Sequence, residues 1–301
     1  MEIRTALALE IGRLEQPVVT SYDIGRLVFR LYQAKTHEGE KLSRIHKDYP
    51  ERQDYNRLVK TLLRAGVLRE KKTVPNPDVF TVLGTGQPSS GEVACCVDPF
   101  AYVSHLSAME WHGLTDRIAK TLFISSPAPP DWKKFSLERM LKDLGSSEAY
   151  AVYRYSRFPQ LRRLNLVKVG RETVHRHASL HPGAFIAVRD RRLRVATIGR
   201  TFLDMIREPD LCGGIYHVLG VYREHAERSL RLVVDEIDRH GTKIEKMRGG
   251  YILEERLGLK HGTIDEWVKF AQRGGSRKLY AHSEYSPRFS EKWCLSLNIE
   301  E

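Results

Sequence analysis

The sequence has no paired-cysteine pattern. Its four cysteines, Cys95, Cys96, Cys212 and Cys294, are an adjacent pair and two singles. That arrangement gives neither the spacing of a zinc site nor a secreted disulfide framework. No metal is expected, and a reducing cytoplasm is the expected compartment. No run of about 18 apolar residues occurs, which leaves no candidate for a membrane span. The opening MEIRTALALEIGRLE mixes acids and Arg into its apolar pattern. It reads as an amphipathic helix and not as a signal peptide. There is no P-loop, no strand–GxGxxG–helix unit and no Ser or Cys nucleophile signature. The expectation is a protein that is not an enzyme and carries no cofactor. No repeat period is visible.

What is present is positive charge, unevenly placed. The formal net charge is +11 over 301 residues, a length that suits two domains. Residues 133–200 hold 16 Lys and Arg against 5 Asp and Glu, whereas residues 1–90 hold 15 against 11. A field of this sign favours a polyanion, of which nucleic acid is the common one. The middle segment offers Arg154, Arg157, Arg162, Arg163, Lys168, Arg171, Arg176, Arg189, Arg191, Arg192 and Arg194. Guanidinium forks suit phosphate. RDRRLR at a hairpin tip is expected to hold several of them in solvent, as a patch for nucleic acid or an acidic partner. Tyr150, Tyr153 and Tyr155, interleaved with Arg154, fit base stacking and core or edge positions equally.

Residues 48–83 read as a helix followed by a hairpin. Tyr55, Leu58, Val59, Leu62 and Leu63 recur at three- and four-residue spacing, so one face packs inward. Pro50 suits the first turn and Gly66 the end. The other face carries Arg52, Gln53, Asn56, Arg57, Lys60 and Arg64. VLREKK and VFTVL alternate as two strands around VPNPD. Upstream, a helix over 2–14 stops at Pro17, VVT is extended, and Thr20 or Ser21 caps a second helix, YDIGRLVFRLYQAK. Residues 35–47 are expected to form a loop with a short helical turn. This order predicts a winged helix-turn-helix domain over 1–90 that binds double-stranded DNA. The expected contacts are Thr20, Ser21, Tyr22, Arg52, Gln53, Asn56, Arg57 and Lys60 from the helices, with Arg69, Lys71 and Lys72 of the wing on phosphates.

Residues 84–94, GTGQPSSGEVA, are rich in Gly, Ser and Pro and are expected to be a linker. The second domain, 95–301, shows a mixed order of helices and strands and is expected to be α+β. Asp98 is expected to cap a helix ending at Gly113, AYAVYRYSRF to form a strand, and AFIAVRDRRLRVA a hairpin turned at Asp190–Arg191. RKLYA and KWCLSLNI are expected as closing strands. Three clusters invite a chemical reading. His105, Glu110 and His112 lack the helical spacing of a zinc site. His175, His177 and His181 sit among arginines that oppose a cation. Asp204, Glu208 and Asp210 have no Lys to complete a nuclease-like set, and a solvated or capping role is expected.

Four stretches carry a family resemblance: QPVVTSYDIGRL, DPFAYVSHLSAMEWHGLTDR, RVATIGRTFLDMIREPDLCGGIYHVL, and GGSRKLY with KWCLSLNI. Together they resemble the AbiEi family, the antitoxin and transcriptional-regulator half of bacterial type IV toxin–antitoxin systems, over nearly the whole chain. Ile198-Gly199-Arg200-Thr201 departs from a Pro-Glu-Arg-like turn of that family. The resemblance implies a bacterial cytoplasmic repressor that binds inverted repeats in its own promoter. It also implies a larger domain that neutralises a nucleotidyltransferase-like toxin, with or without direct contact. Two other readings stay open at this point: an RNA- or nucleotide-binding protein whose C-terminal domain carries the function, and a nuclease.

Overall fold

A computed structural model describes every residue except 44, 71–73, 75, 85, 180–183, 273–276 and 300–301. In chain order, the first elements are α1 (Ile3–Arg13), β1 (Val18–Thr20), α2 (Ser21–Ala34), β2 (Thr36–His37), β3 (Glu40–Lys41), α3 (Arg52–Arg64), β4 (Leu68–Glu70) and β5 (Val79–Val82). Then come α4 (Ser90–Val97), β6 (Tyr102–Val103), α5 (His105–Trp111), β7 (Thr121–Pro127), α6 (Pro129–Leu144), α7 (Ser147–Tyr155), β8 (Lys168–Val169) and β9 (Glu172–Ser179). The remainder comprises β10 (Phe185–Ala187), β11 (Arg194–Ala196), α8 (Ile198–Arg207), α9 (Ile215–His225), α10 (Leu230–His240), α11 (Lys243–Gly250), α12 (Gly262–Trp267), β12 (Phe289–Ser290) and β13 (Leu295–Ser296). The class is α+β with several sheets. No helix among the described residues is long and apolar enough to cross a membrane.

The chain divides into two compact units. The first comprises 1–102, 120–182 and 187–194, and the second 103–119, 183–186 and 195–301. The first unit therefore reaches well beyond residue 90.

In the first unit, α2 starts at a capping box. The Thr20 hydroxyl accepts from Asp23 N, and the Asp23 carboxylate accepts from Thr20 N. The chain then turns back at once. Glu38 and Gly39 both have positive φ and close a two-residue hairpin between β2 and β3. The helical turn expected over 35–47 is thus a hairpin, because Gly39 supplies the conformation that the turn needs. Glu51 caps α3 in a reciprocal box with Asp54, and Pro50 lies just outside the helix. The sheet runs β1-β5-β4, antiparallel throughout, with Val19 opposite Phe80 and Arg69 opposite Thr81. Burying Leu7, Ile24, Leu58, Leu62 and Phe80 joins these helices and strands in one core.

That core also takes in Trp132, Met140, Tyr153 and Phe158. Phe29, fully buried, meets the rings of Tyr153 at 5.3 Å and Phe158 at 6.1 Å. Two expectations are corrected here. The linker over 84–94 gives way to α4 from Ser90, started by a Ser89–Glu92 capping box and burying Val93 and Ala94. AYAVYRYSRF is mostly helical, as α7. Ser146 caps it, and Ala149 and Tyr153 point inward one turn apart while Tyr155 is 90% exposed. The apparent alternation of tyrosines was a helix period read as a strand period. Beyond it, β7 and β9 pair in parallel from Thr121↔Thr173 to Pro127↔Ser179, with β8 antiparallel on β9.

The second unit is mainly helical. Its core gathers Phe202, Val218, Tyr222, Val233, Ile237, Met247, Trp267 and Trp293. The helix expected from Asp98 to Gly113 is shorter and starts later, at His105. Tyr102 and Val103 enter a strand instead, which suits aromatic and β-branched side chains. Val103 pairs with Val195 in parallel. A Cβ on Gly199 would lie 2.4 Å from the Leu232 carbonyl, so α8 and α10 approach closely only because that position is glycine. Of the expected closing strands, RKLYA contributes one isolated bridge at Lys278, and KWCLSLNI contributes β13, paired with β12.

Candidate nucleic-acid interface

The buried face of α3 is set by Tyr55, Leu58, Val59 and Leu62. The opposite face is thereby forced outward, and Arg52, Gln53, Asn56, Arg57, Lys60 and Arg64 are all exposed. Gln53, Asn56 and Lys60 stand at three- and four-residue spacing, on one line of the helix, and no protein partner engages them among the described residues. Arg57 Nη2 is held by Asp54 Oδ1 at 2.9 Å, and Arg52 lies over the Tyr55 ring at 4.9 Å. Arg69 is exposed on β4. Lys71 and Lys72 lie outside the described residues.

Thr20, Ser21 and Tyr22, also expected at the interface, are buried. Thr20 caps α2, Ser21 Oγ donates to Asp78 Oδ1 at 2.8 Å, and Tyr22 Oη donates to Asp143 Oδ2 at 3.0 Å. Burial and the neighbouring Asp143 push the Tyr22 phenol far above its usual range. These three side chains hold the fold. The cap of α2 was legible in the sequence; the partners Asp78 and Asp143, far along the chain, were not.

The basic middle segment separates into two groups. Arg154, Arg157, Arg162, Lys168 and Arg171 are exposed. Arg52 Nη1 donates to the Arg157 carbonyl at 3.1 Å, and a polar cavity of about 130 Å³ is lined by Ser21, Arg52, Asp78, Arg157, Gln160 and Arg162. The structure thus brings Arg157 and Arg162, roughly a hundred residues away in sequence, beside the start of α3. Tyr153 is fully buried, its hydroxyl donating to Pro159 O at 2.6 Å, so it is a core residue and not a stacking platform. Arg163 is half-buried. Arg176 donates to Leu164 O, and its side chain is 14% exposed, so burial lowers its pKa.

The second group corrects the picture of a solvated RDRRLR tip. Arg189, Arg191 and Arg192 are exposed, but only Arg189, with its side chain 95% exposed beside Asp190, is mainly in solvent. Arg191 grips Glu92, Nη2 to Oε2 at 2.9 Å and Nε to Oε1 at 3.1 Å, and holds that carboxyl down at a pKa of about 2. Arg192 reaches Glu15 at 3.3 Å. Arg194 donates to the carbonyls of Ala101, Cys95 and Asp98 at 2.8, 2.7 and 2.9 Å, closing the C-terminal end of α4. Glu92, the partner of Arg191, lies in the stretch expected to be linker, whereas the carbonyls that hold Arg194 lie just beyond it, at Cys95, Asp98 and Ala101.

The remaining clusters are structural. His112 Nε2 meets Ala196 O at 2.7 Å, and His105 Nδ1 meets Ser104 Oγ at 2.8 Å. His175 packs against Phe123 at 5.6 Å, and His181 lies outside the described residues. No cluster of three His, Cys, Asp or Glu side chains among the described residues is placed to hold a metal ion. Asp204, expected to be solvated or capping, is instead buried. It sits 4.0 Å from Arg200 Nη1, and Arg200 Nε lies 3.0 Å from Glu236 Oε1. Burial raises the Asp204 pKa to about 7. Arg200, 1% exposed, is of a residue type that is almost never fully buried unless paired.

No family model matches the chain, and no curated protein matches it. Among solved structures, the chain is similar to the RV2827C protein from Mycobacterium tuberculosis, with a TM-score of 0.48 and 14% identity. The match covers 97% of this chain and 89% of that one.

Proposed function

We propose that the protein is a DNA-binding autorepressor and the antitoxin of a type IV toxin–antitoxin system, in line with its resemblance to the AbiEi family. The observation that carries the DNA reading is the outward face of α3. Gln53, Asn56 and Lys60 stand in line on it with no protein partner among the described residues. Asn and Gln can bond the adenine edge in pairs, and Lys can meet guanine or phosphate. Support comes from the element order α1-β1-α2-β2-β3-α3-β4-β5 and the sheet order β1-β5-β4, which suit a winged helix with α3 as its reading helix and the β2–β3 hairpin inserted before it. Arg69 of the hairpin, with Arg157 and Arg162 beside α3, supplies phosphate contacts. The contact set proposed here leaves out the buried Thr20, Ser21 and Tyr22. The partners are inverted repeats in the protein's own promoter and a nucleotidyltransferase-like toxin, in the bacterial cytoplasm.

Quantitative footprinting on the promoter duplex and a scrambled duplex tests this. Each Ala substitution at Gln53, Asn56 or Lys60 is expected to cost about 1–3 kcal/mol where the side chain reads a base, with unchanged thermal stability. Unaltered affinity and discrimination in all three variants would remove α3 as the reader. Growth rescue in cells expressing the neighbouring toxin gene tests the antitoxin half.

A further inference from the structure

The second unit holds a cleft of about 670 Å³ between the loop that follows α5 and the outer side of α9. Its wall carries Thr115, Arg117, Tyr216, His217, Gly220 and Glu224. This is the size of a site for a small organic ligand, and its polar groups are fixed to one another. Thr115 Oγ1 accepts the Arg117 backbone N–H at 3.1 Å and lies 3.0 Å from His217 Nε2. Thr115 Oγ1 and His217 Nε2 thus share one hydrogen bond, which either atom can donate according to the imidazole tautomer. Nδ1 has no protein partner among the described residues. Burial and the nearby Arg117 charge lower the His217 pKa, which keeps the ring neutral at pH 7. Arg117 Nη1 donates to Gly213 O at 2.9 Å, which steadies the exposed guanidinium while its other side-chain N–H groups stay unpartnered among the described residues.

Gly220 is the informative residue. It sits inside α9, where glycine costs roughly 1 kcal/mol against alanine. A Cβ there would meet no atom within 4 Å, so nothing in the protein's own packing requires its absence. The missing side chain leaves the wall of the cleft open. Tyr216, 61% exposed, offers an aromatic face at the same wall. Arg117 offers a fork for phosphate, and Glu224 an acceptor for sugar hydroxyls or an amino group.

We propose that this cleft binds a nucleoside monophosphate, with the base on Tyr216, the phosphate on Arg117 and the ribose facing Glu224. The site is independent of the DNA-binding reading. Calorimetry on the full chain tests it with AMP, GMP, CMP and UMP, beside adenosine and inorganic phosphate. At least one nucleotide is expected to bind with a Kd of about 0.1 mM. Gly220→Leu is expected to weaken it more than about tenfold while the thermal midpoint holds or rises, since leucine favours helix. Arg117→Ala, an exposed change, is expected to weaken nucleotides about tenfold and adenosine little; it stands as the test if the Gly220 variant does not fold. No nucleotide binding at about 5 mM, equal binding by Gly220→Leu or, failing that, by Arg117→Ala, or inorganic phosphate as tight as any nucleotide would each overturn the proposal.

Discussion

Residues 52–64 and 189–194 are both arginine-rich, and in the structure they do different things. On α3 the charged residues face outward because the apolar positions opposite them take the core. At 189–194 only Arg194 turns inward, onto three carbonyls, while Arg191 and Arg192 stay exposed but are held by Glu92 and Glu15, and Arg189 stands in solvent. Arg200 carries the second pattern further, into the core of the second unit. Net charge counts both kinds alike. A guanidinium bonded to buried carbonyls, as Arg194 is, must break those bonds to meet a phosphate, whereas Gln53, Asn56 and Lys60 of α3 have none to break among the described residues.

Three single changes and one set of three on α3 would break or sharpen this contrast. The largest effect is expected at Arg200. Arg200→Ala leaves Glu236 and Asp204 without their buried cation and is expected to cost about 3–5 kcal/mol in urea unfolding. A loss below about 1 kcal/mol would mean that the interior charge is not needed. Arg194→Ala removes the charged donor shared by the carbonyls of Cys95, Asp98 and Ala101 and is expected to cost about 2–3 kcal/mol, read as a lowered urea midpoint. If it is as stable as wild type, 189–194 belongs with the solvated regions after all. On α3 the expected sign pattern reverses, since the Gln53, Asn56 and Lys60 substitutions should move DNA discrimination and leave the urea midpoint in place.

The smallest effect is at Arg191. Its partner Glu92 has a folded pKa of about 2, lowered first by the Arg191 hydrogen bonds. A depressed carboxyl contributes stability that is present above the unfolded value near pH 4.5 and is lost as pH falls toward 2. The Arg191 side chain is 39% exposed, so the pair is worth at most about 1 kcal/mol. Arg191→Ala is expected to start the acid loss at higher pH, visible by circular dichroism between pH 5 and 2. An unchanged acid midpoint would detach Glu92 from Arg191.

The sequence was most legible where local chemistry decides. The three- and four-residue apolar period over α3, the Thr20 cap and the Gly66 stop were read directly, because helix geometry and capping act within a few residues. Errors fell where a distant segment intervened. Gly, Ser and Pro over 84–94 suggested a linker, yet Ser89 starts a helix whose apolar side is buried. Tyr150, Tyr153 and Tyr155 fitted a strand until Ala149 and Tyr153 were seen to share an inward face. In each case the composition was compatible with two periods, and burial chose between them.

The sequence by itself determined the three helices of residues 1–64 and the hairpin that follows them, the inward face of α3 and therefore which of its side chains can meet a ligand. It also determined that a large positive charge lies in the middle of the chain. The tertiary structure decided which of those charges remain outside. It placed Arg157 and Arg162 beside α3, turned Arg194 and Arg200 inward, and set Thr115, Arg117 and His217 around an open helix wall. Arg200 with Glu236, Arg194 with Cys95, Thr115 with His217 and Arg52 with Arg157 lie 36 to 105 positions apart, and no spacing in a linear chain encodes them. They follow from the requirement that buried carbonyls and carboxylates find donors once packing has removed water.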